Sequence, residues 1–381
     1  MTLPEIVAAL LLLMAGAGLL YLAAAIIFVR RLAACRSPAA TSAPSITLLK
    51  PLHGAEVGLL DNLATFLNQD YHGPVQVVFG FQDQRDPAIE IVRDLQRSFP
   101  AADIELVVDE RLHGTNRKVS NLINMAERAR HDVVVLADSD MIVGPGYLTR
   151  LVSELSRPGV GAVTCLYHGV PRGNVWSRLS ALGIGSHFLP SVAVGIGLGL
   201  AKPCFGSTIA LRRATLDAIG GFGSLKNDLA DDYLLGAAVR RRGLDVGVTP
   251  FTIGHACTER SLADLLRQEL RWVRTIRQLD PAGHAGSVLS HPLPLAILAC
   301  LMWPGSVAGA FVAAAIMLRI GLCLAVKQAF GLKDQAYGLA PLRDILSFGI
   351  FVASFFGRGV SWRGHSYDVT PGGVLTAKTR H

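Results

Sequence analysis

Apolar residues are distributed along the chain in two different ways, and the difference divides it. Residues 6–29 form an unbroken apolar run without a charge. As a helix this run would cover about 36 Å, enough to cross the hydrocarbon core of a bilayer. Between residues 44 and 175 the pattern changes to short β-branched runs alternating with helical periodicity. Strands are predicted at 46–49, 75–79, 104–108, 133–137 and 160–166, with helices near 57–68, 87–98, 118–130 and 145–156. Such alternation predicts an α/β domain with a mostly parallel sheet, whose ligands bind beyond the carboxyl ends of the strands.

Long apolar runs return at 292–326, interrupted by Trp303-Pro304-Gly305 and read as a transmembrane hairpin, and at 345–356, only twelve residues long. Basic residues flank the shorter run on both sides (Lys327, Lys333 and Arg343; Arg358 and Arg363), so it is expected to lie in the interface or re-enter, with a tilted full crossing as the alternative. The stretch 175–200 is apolar but broken by Arg178, His187, Pro190 and glycines, and reads as a membrane-surface or acceptor-channel segment. The expected organisation is therefore an anchor and basic linker (1–43), a catalytic domain (44–285), a hairpin (286–327) and an interfacial segment with a tail (328–381). Arg30, Arg31 and Arg36 follow the first run at once. The positive-inside rule then puts the catalytic domain in the cytoplasm, and basic residues after the run, with no cleavage pattern, argue for an anchor over a signal peptide.

Composition supports this division. The 381 residues are 51% hydrophobic and 17% charged, against about 25% charged in soluble domains. The formal net charge of +7 comes from basic residues beside apolar runs. That suits a collar against anionic headgroups, whereas no basic tract interleaved with aromatics points to nucleic acid. The six cysteines show no C-x-x-C spacing, which argues against a disulfide framework or zinc site and fits a reducing compartment.

Candidate chemistry sits at strand ends. Asp83 follows the second predicted strand, where it can accept hydrogen bonds from a nucleoside or simply form a turn. Asp138-Ser139-Asp140 closes the strand VVVLA and offers hard oxygen ligands for Mg2+ or Mn2+ on a diphosphate. Asp231-Asp232 opens an apolar helix, where an acid can serve the helix dipole or, partly desolvated, accept a proton. Gln268, Arg271 and Trp272 share one helix face, the arginine suited to clamping a diphosphate and the tryptophan to lining a sugar or acceptor pocket. Neither GxGxxG after the first strand nor GxxxxGK[ST] is present, so a dinucleotide fold and a P-loop are both unsupported.

Taken together, LLKPLHGAE (48–56), QDQRDPAIE (82–90), NRKVSNL (116–122), LADDY, the Gln-x-x-Arg-Trp run and SWRGHSY (361–367) resemble the ceramide glucosyltransferase family, which includes bacterial members associated with hopanoid glycosylation. The resemblance implies a GT-A fold and inverting transfer of a hexose from a UDP-sugar to a lipid hydroxyl, on a hopanoid or ceramide acceptor. It implies that Glu56 and Asp83 help hold uridine, that Lys118 and Asn121 lie near the nucleotide with Asp138, and that Asp140 binds the metal. It makes Asp232 the base, although family members often have Glu-Asp where this chain has Asp231-Asp232, leaving the first acid's role open. Trp272, Trp362 and Arg363 are expected to flank the acceptor entrance. Ser186-His187 and Cys204 resemble positions in animal ceramide enzymes, which would put His187 at the acceptor entrance, with a packed role equally open to them. A processive polysaccharide synthase shares the acids and the Gln-x-x-Arg-Trp run but needs more spanning helices. A transporter or membrane scaffold would place its charges at the bilayer midplane.

Overall fold

The structure is a computed structural model that describes residues 2–38, 42–333 and 335–357, and the backbone of three short strands at 359–362, 365–369 and 375–377. A 32-residue helix, α1 (Leu3–Ala34), comes first. After it β1 (Ile46–Pro51), α2 (Leu59–Leu67), β2 (Val75–Phe81), α3 (Ala88–Ser98), β3 (Asp103–Val108), α4 (Arg117–Ala126) and β4 (Val133–Leu136) alternate as the pattern predicts. The chain continues through β5 (Met141–Ile142), α5 (Tyr147–Leu155) and β6 (Val160–Pro171), then α6 (Val175–Gly183), a π-helical turn (Ile184–Phe188) and α7 (Leu189–Gly197). It returns as β7 (Ile209–Arg212), α8 (Arg213–Ala218), α9 (Asp231–Arg241) and β8 (Asp245–Cys257).

These eight strands form one sheet in the order β3-β2-β1-β4-β7-β6-β8-β5. The sheet is mixed rather than mostly parallel. Strands β3, β2, β1 and β4 are parallel, whereas β7 runs antiparallel to both neighbours and β5 antiparallel to β8. The reversal arises because the chain leaves β6 through α6 and α7 and returns at the same end as β7. Strand residues alternate between two cores, as the pleat requires. Leu48, Phe79 and Val135 face α2, α3 and α5, while Leu49, Val78 and Leu136 face α4, α8 and α9.

Beyond the sheet lie α10 (Leu262–Leu279), α11 (Pro281–Gly286), α12 (Pro292–Met302), α13 (Ser306–Phe330) and α14 (Ala340–Ser354). Among the described residues three helical stretches are long and apolar enough to cross a membrane: Leu3–Ala34, Val175–Gly197 and Ser306–Phe330. The first leg of the expected hairpin is broken instead, since Pro281–Ser290 and Pro292–Met302 meet at 65°. Pro292 interrupts the backbone ladder there, which an apolar pattern alone does not register. Helices α1, α7 and α13 share a core of Leu22, Val29, Leu189, Ala193, Leu322 and Val326. Their outer faces expose Leu10, Leu13, Leu20, Val307 and Met317, as a lipid-facing surface requires. Helix α14, at 15 residues or about 22 Å, is shorter than a span. It is tied to α10, with Arg343 forming a two-point ion pair with Glu269, and Arg274 and Arg277 donating to the carbonyls of Phe356 and Ser354.

Candidate active site

The parallel half of the sheet delivers its carboxyl ends to one edge, and the polar residues gather there. Asp138 follows β4, and its Oδ1 lies 2.6 Å from Lys118 Nζ on the first turn of α4. Asp232 stands in the first turn of α9, where the helix N-terminus favours an anion. Its Oδ2 accepts from the Gly206 amide at 2.8 Å and its Oδ1 from the Tyr233 amide at 2.7 Å. Gly206 marks the point of convergence. A methyl group placed on it would lie 3.1 Å from Lys118 Nζ, 3.3 Å from Asp138 Oδ2 and 3.4 Å from Asp232 Oδ2.

The two adjacent acids are treated differently. Asp231 is buried and accepts from Asn116 Nδ2 at 3.3 Å, whereas Asp232 is only half-buried. Burial raises both carboxyl pKa values, that of Asp231 to about 6, with Lys118 opposing the rise. For Lys118 burial acts downward, but Asp138, Asp231 and Asp232 outweigh it and hold the ammonium well above its ordinary value.

Asp140, two residues beyond Asp138, points Oδ2 at His255 Nε2, 3.4 Å away on β8. Its other oxygen, Oδ1, is buried without a hydrogen-bond partner. His255 stacks on Tyr167 (5.7 Å, 30°) and meets Trp272 edge-on (5.9 Å, 88°), so α10 reaches the Asp138–Asp140 turn through an imidazole. Burial drives the Tyr167 hydroxyl well up; Asp232, Asp140 and Asp138 act in the same direction and Arg271 against it, which sets Tyr167 between the acids and α10. Gln268 and Arg271 are half-buried on α10. Glu269 points away from them to Arg343.

Among the described residues no three His, Cys, Asp or Glu side chains form a closed metal cage. An open site still fits a hard divalent ion, because Asp140 presents a buried, unpartnered carboxylate oxygen beside Asp138. Such an ion leaves positions for phosphate and water, and His255 is placed to orient Asp140 from behind.

The remaining expected residues divide. Glu56 and Asp83 are exposed on loops at the same carboxyl edge, with Asp83 Oδ1 accepting from the Arg85 amide in a turn. Asn121 is turned inward: its Nδ2 donates to the Gly80 carbonyl at 2.8 Å, so it supports the end of β2 instead of facing the cleft. His187, expected at the acceptor entrance, lies inside the helical unit. Its Nε2 is 3.0 Å from Asp344 and its Nδ1 2.9 Å from Ser186 Oγ. The reason is electrostatic, since a fully buried carboxylate persists only with partners, and Asp344 gathers both His187 and Arg319. The side chain of Trp362 and the whole of Arg363 lie outside the described residues.

Residues that sequence reasoning did not single out are Lys50, Tyr167, Gly206, His255 and Asp86. Asp86 binds the Gly54 amide through both oxygens (3.1 and 2.9 Å), tying the β1 loop to the β2 loop. Its position just before Pro87 at a helix start is a signal that could have marked it. Gly206 and His255 carry no such local signal, because their importance comes from what crosses them in space.

The sequence comparison places this mixed sheet and its carboxylate cleft in a family. The model of glycosyl transferase family 21 matches residues 10–375, and the chain belongs to that family. It is 25% identical over 232 residues to ceramide glucosyltransferase 1 of Caenorhabditis elegans, covering 61% of this chain and 49% of that protein. It is 26% identical over 246 residues to an N-acetylglucosaminyltransferase of Mesorhizobium japonicum, covering 61% and 56%. The chain thus spans about half the length of the curated relatives it matches. Among solved structures, a mannosyltransferase from Pyrobaculum calidifontis in complex with GDP-Man and Mn2+ shares the fold. Its TM-score is 0.55 at 21% identity, over 93% of this chain and 99% of that one.

Proposed function

We propose that this protein is a membrane-embedded, inverting glycosyltransferase that moves a hexose, glucose or N-acetylglucosamine, from a UDP-sugar to a hydroxyl of a membrane lipid. The observation that carries the reading is the meeting of Lys118, Asp138 and Asp232 around Gly206, at the carboxyl edge of a sheet attached to apolar helices. The relatives' names support the sugar and lipid classes, and the sheet is read as a GT-A variant. A hopanoid of the bacteriohopanetetrol type is the preferred acceptor and ceramide the second, on the sequence resemblance.

Asp232 accepts the proton of the lipid hydroxyl as that oxygen attacks the sugar carbon from the face opposite UDP. Its raised pKa makes it a better proton acceptor, and its half-buried position leaves it reachable. Asp231 braces the start of α4 through Asn116. Lys118 and Arg271 offset charge on the departing diphosphate, and Trp272 lines the acceptor side. A divalent ion, Mg2+ or Mn2+, held by Asp140 and Asp138 would supply further charge neutralisation at the diphosphate. The electrostatics favour that ion, because an anionic donor enters a cleft already rich in carboxylates. Glu56 and Asp83 flank the uridine from the loops.

The organisation that fits is an anchor at 1–43, a cytoplasmic catalytic domain at 44–285, a broken hairpin at 286–327 and an interfacial α14 with the tail at 328–381, in a bacterial inner membrane. Arg30, Arg31 and Arg36 after the first span support that orientation.

The test crosses UDP-glucose and UDP-N-acetylglucosamine with ceramide and bacteriohopanetetrol, using purified protein in detergent with and without Mn2+ or Mg2+. A metal-dependent glycolipid from one pair is expected. A sugar polymer would point to a processive synthase, and neither product nor UDP release from any pair would overturn the reading.

A further inference from the structure

Lys50 occupies an unusual place for an ammonium group. It lies on β1 in the middle of the sheet, and its side chain is fully buried. Lysine is almost never fully buried without a partner, and an apolar side chain of similar volume would fill the site without the cost of desolvation. The group it meets is a peptide carbonyl: Nζ donates to Asp138 O at 2.5 Å. On another side the ammonium lies 3.6 Å from the centroid of the Phe66 ring, within cation–π distance.

The partner carbonyl belongs to the turn that carries both candidate metal ligands. That turn is pinned at two points, Asp138 O by Lys50 and Asp140 O by the Ala256 amide at 2.8 Å. Between the pins the two side chains leave toward the cleft, Asp138 to Lys118 and Asp140 with its unpartnered Oδ1. Burial lowers the Lys50 pKa to about 7, with Asp138 and Asp140 acting to raise it, so the amine feels both acids of the turn.

We infer that Lys50 is a positioning residue for the metal-binding pair. It fixes the Asp138 peptide, and with it the direction in which both carboxylates leave the turn. This rests on the metal-dependent reading above and adds a residue to it. A lysine kept only for packing would be replaceable by Met without consequence in the cleft.

The experiment is a titration of the purified full-length protein in detergent with Mn2+ alone, following free Mn2+ by electron paramagnetic resonance, with thermal unfolding measured in parallel. Lys50→Met is expected to weaken Mn2+ binding at least ten-fold while Tm stays level or rises. Wild-type affinity for Mn2+ in Lys50→Met overturns the inference and leaves the metal reading intact. Failure of the wild type to bind Mn2+ overturns both. Should Lys50→Met not fold, Phe66→Leu decides, since it keeps the amine and removes the ring beneath it. A weakening of about three-fold is expected there, and unchanged affinity overturns the inference.

Discussion

Of the buried polar clusters among the described residues, one at the edge of the sheet and one inside the helical unit are balanced differently. In the helices, Asp344 pairs with Arg319 at 2.7 Å and Glu269 pairs with Arg343 at 2.6 Å, two acids for two guanidinium groups. In the cleft, Asp138, Asp140, Asp231 and Asp232 converge on Lys50 and Lys118, four acids for two ammonium groups, with Arg271 opposite on α10. The first cluster is matched within itself and serves the fold by docking α13 and α14. The second is left short of positive charge. A site that cannot balance itself is arranged for something that arrives from outside.

The sharpest way to break the comparison is to remove one acid from each cluster. Asp232→Asn should cut turnover by about 10²–10⁴-fold, the usual worth of a positioned base, with little change in Tm or UDP binding. Steady-state transfer rates beside calorimetric UDP binding check this. Asp344→Asn should do the reverse. Leaving Arg319 buried without its counter-ion costs about 3–5 kcal/mol of stability, read as a lowered Tm. The double change Arg319→Met with Asp344→Leu should recover most of that loss.

A smaller effect sharpens the geometry of the cleft. Gly206→Ala puts a methyl group against Lys118, Asp138 and Asp232, and should lower kcat/KM on the order of 10- to 100-fold by displacing them, at nearly unchanged Tm. The smallest is a pH response. The raised pKa values of Asp231 and Asp232 mean the folded state holds these protons more tightly than the unfolded chain, for which 3.8 is the ordinary value. The contribution of Asp231 to stability is therefore fully present below about 4 and lost as pH rises through about 6, and that of Asp232 changes in the same direction. Activity, which needs the ionised Asp232, should fall on the acid side at a higher pH than an ordinary aspartate would give, because burial raises this carboxyl. A pH–rate profile and a pH–Tm profile with slopes of opposite sign on the acid side are expected.

Much of the catalytic half was legible because it is local. The five predicted strands each correspond to a strand of the sheet, and Asp83, Asp138 and the Asp231-Asp232 pair lie at the strand and helix ends where the pattern put them, whereas the choice of Asp232 over Asp231 came from the family resemblance alone. Other features were not legible. The antiparallel β7 is only four residues long and gains its place from β4 and β6, so no periodicity announces it. His187 looked like an entrance residue because its partner, Asp344, is 157 residues away in sequence. Gly206, His255 and Lys50 look ordinary in the sequence, and only the packing of β1, β5 and β8 around one turn reveals what they touch.

Calorimetric titration of UDP into the purified protein with and without Mn2+, alongside Asp140→Asn, decides whether the unbalanced cleft is a metal-assisted nucleotide-sugar site. UDP binding is expected to require Mn2+, to be lost with chelator, and to be abolished or weakened at least ten-fold by Asp140→Asn. UDP binding of equal strength with and without metal, and in the variant, would rule such a site out.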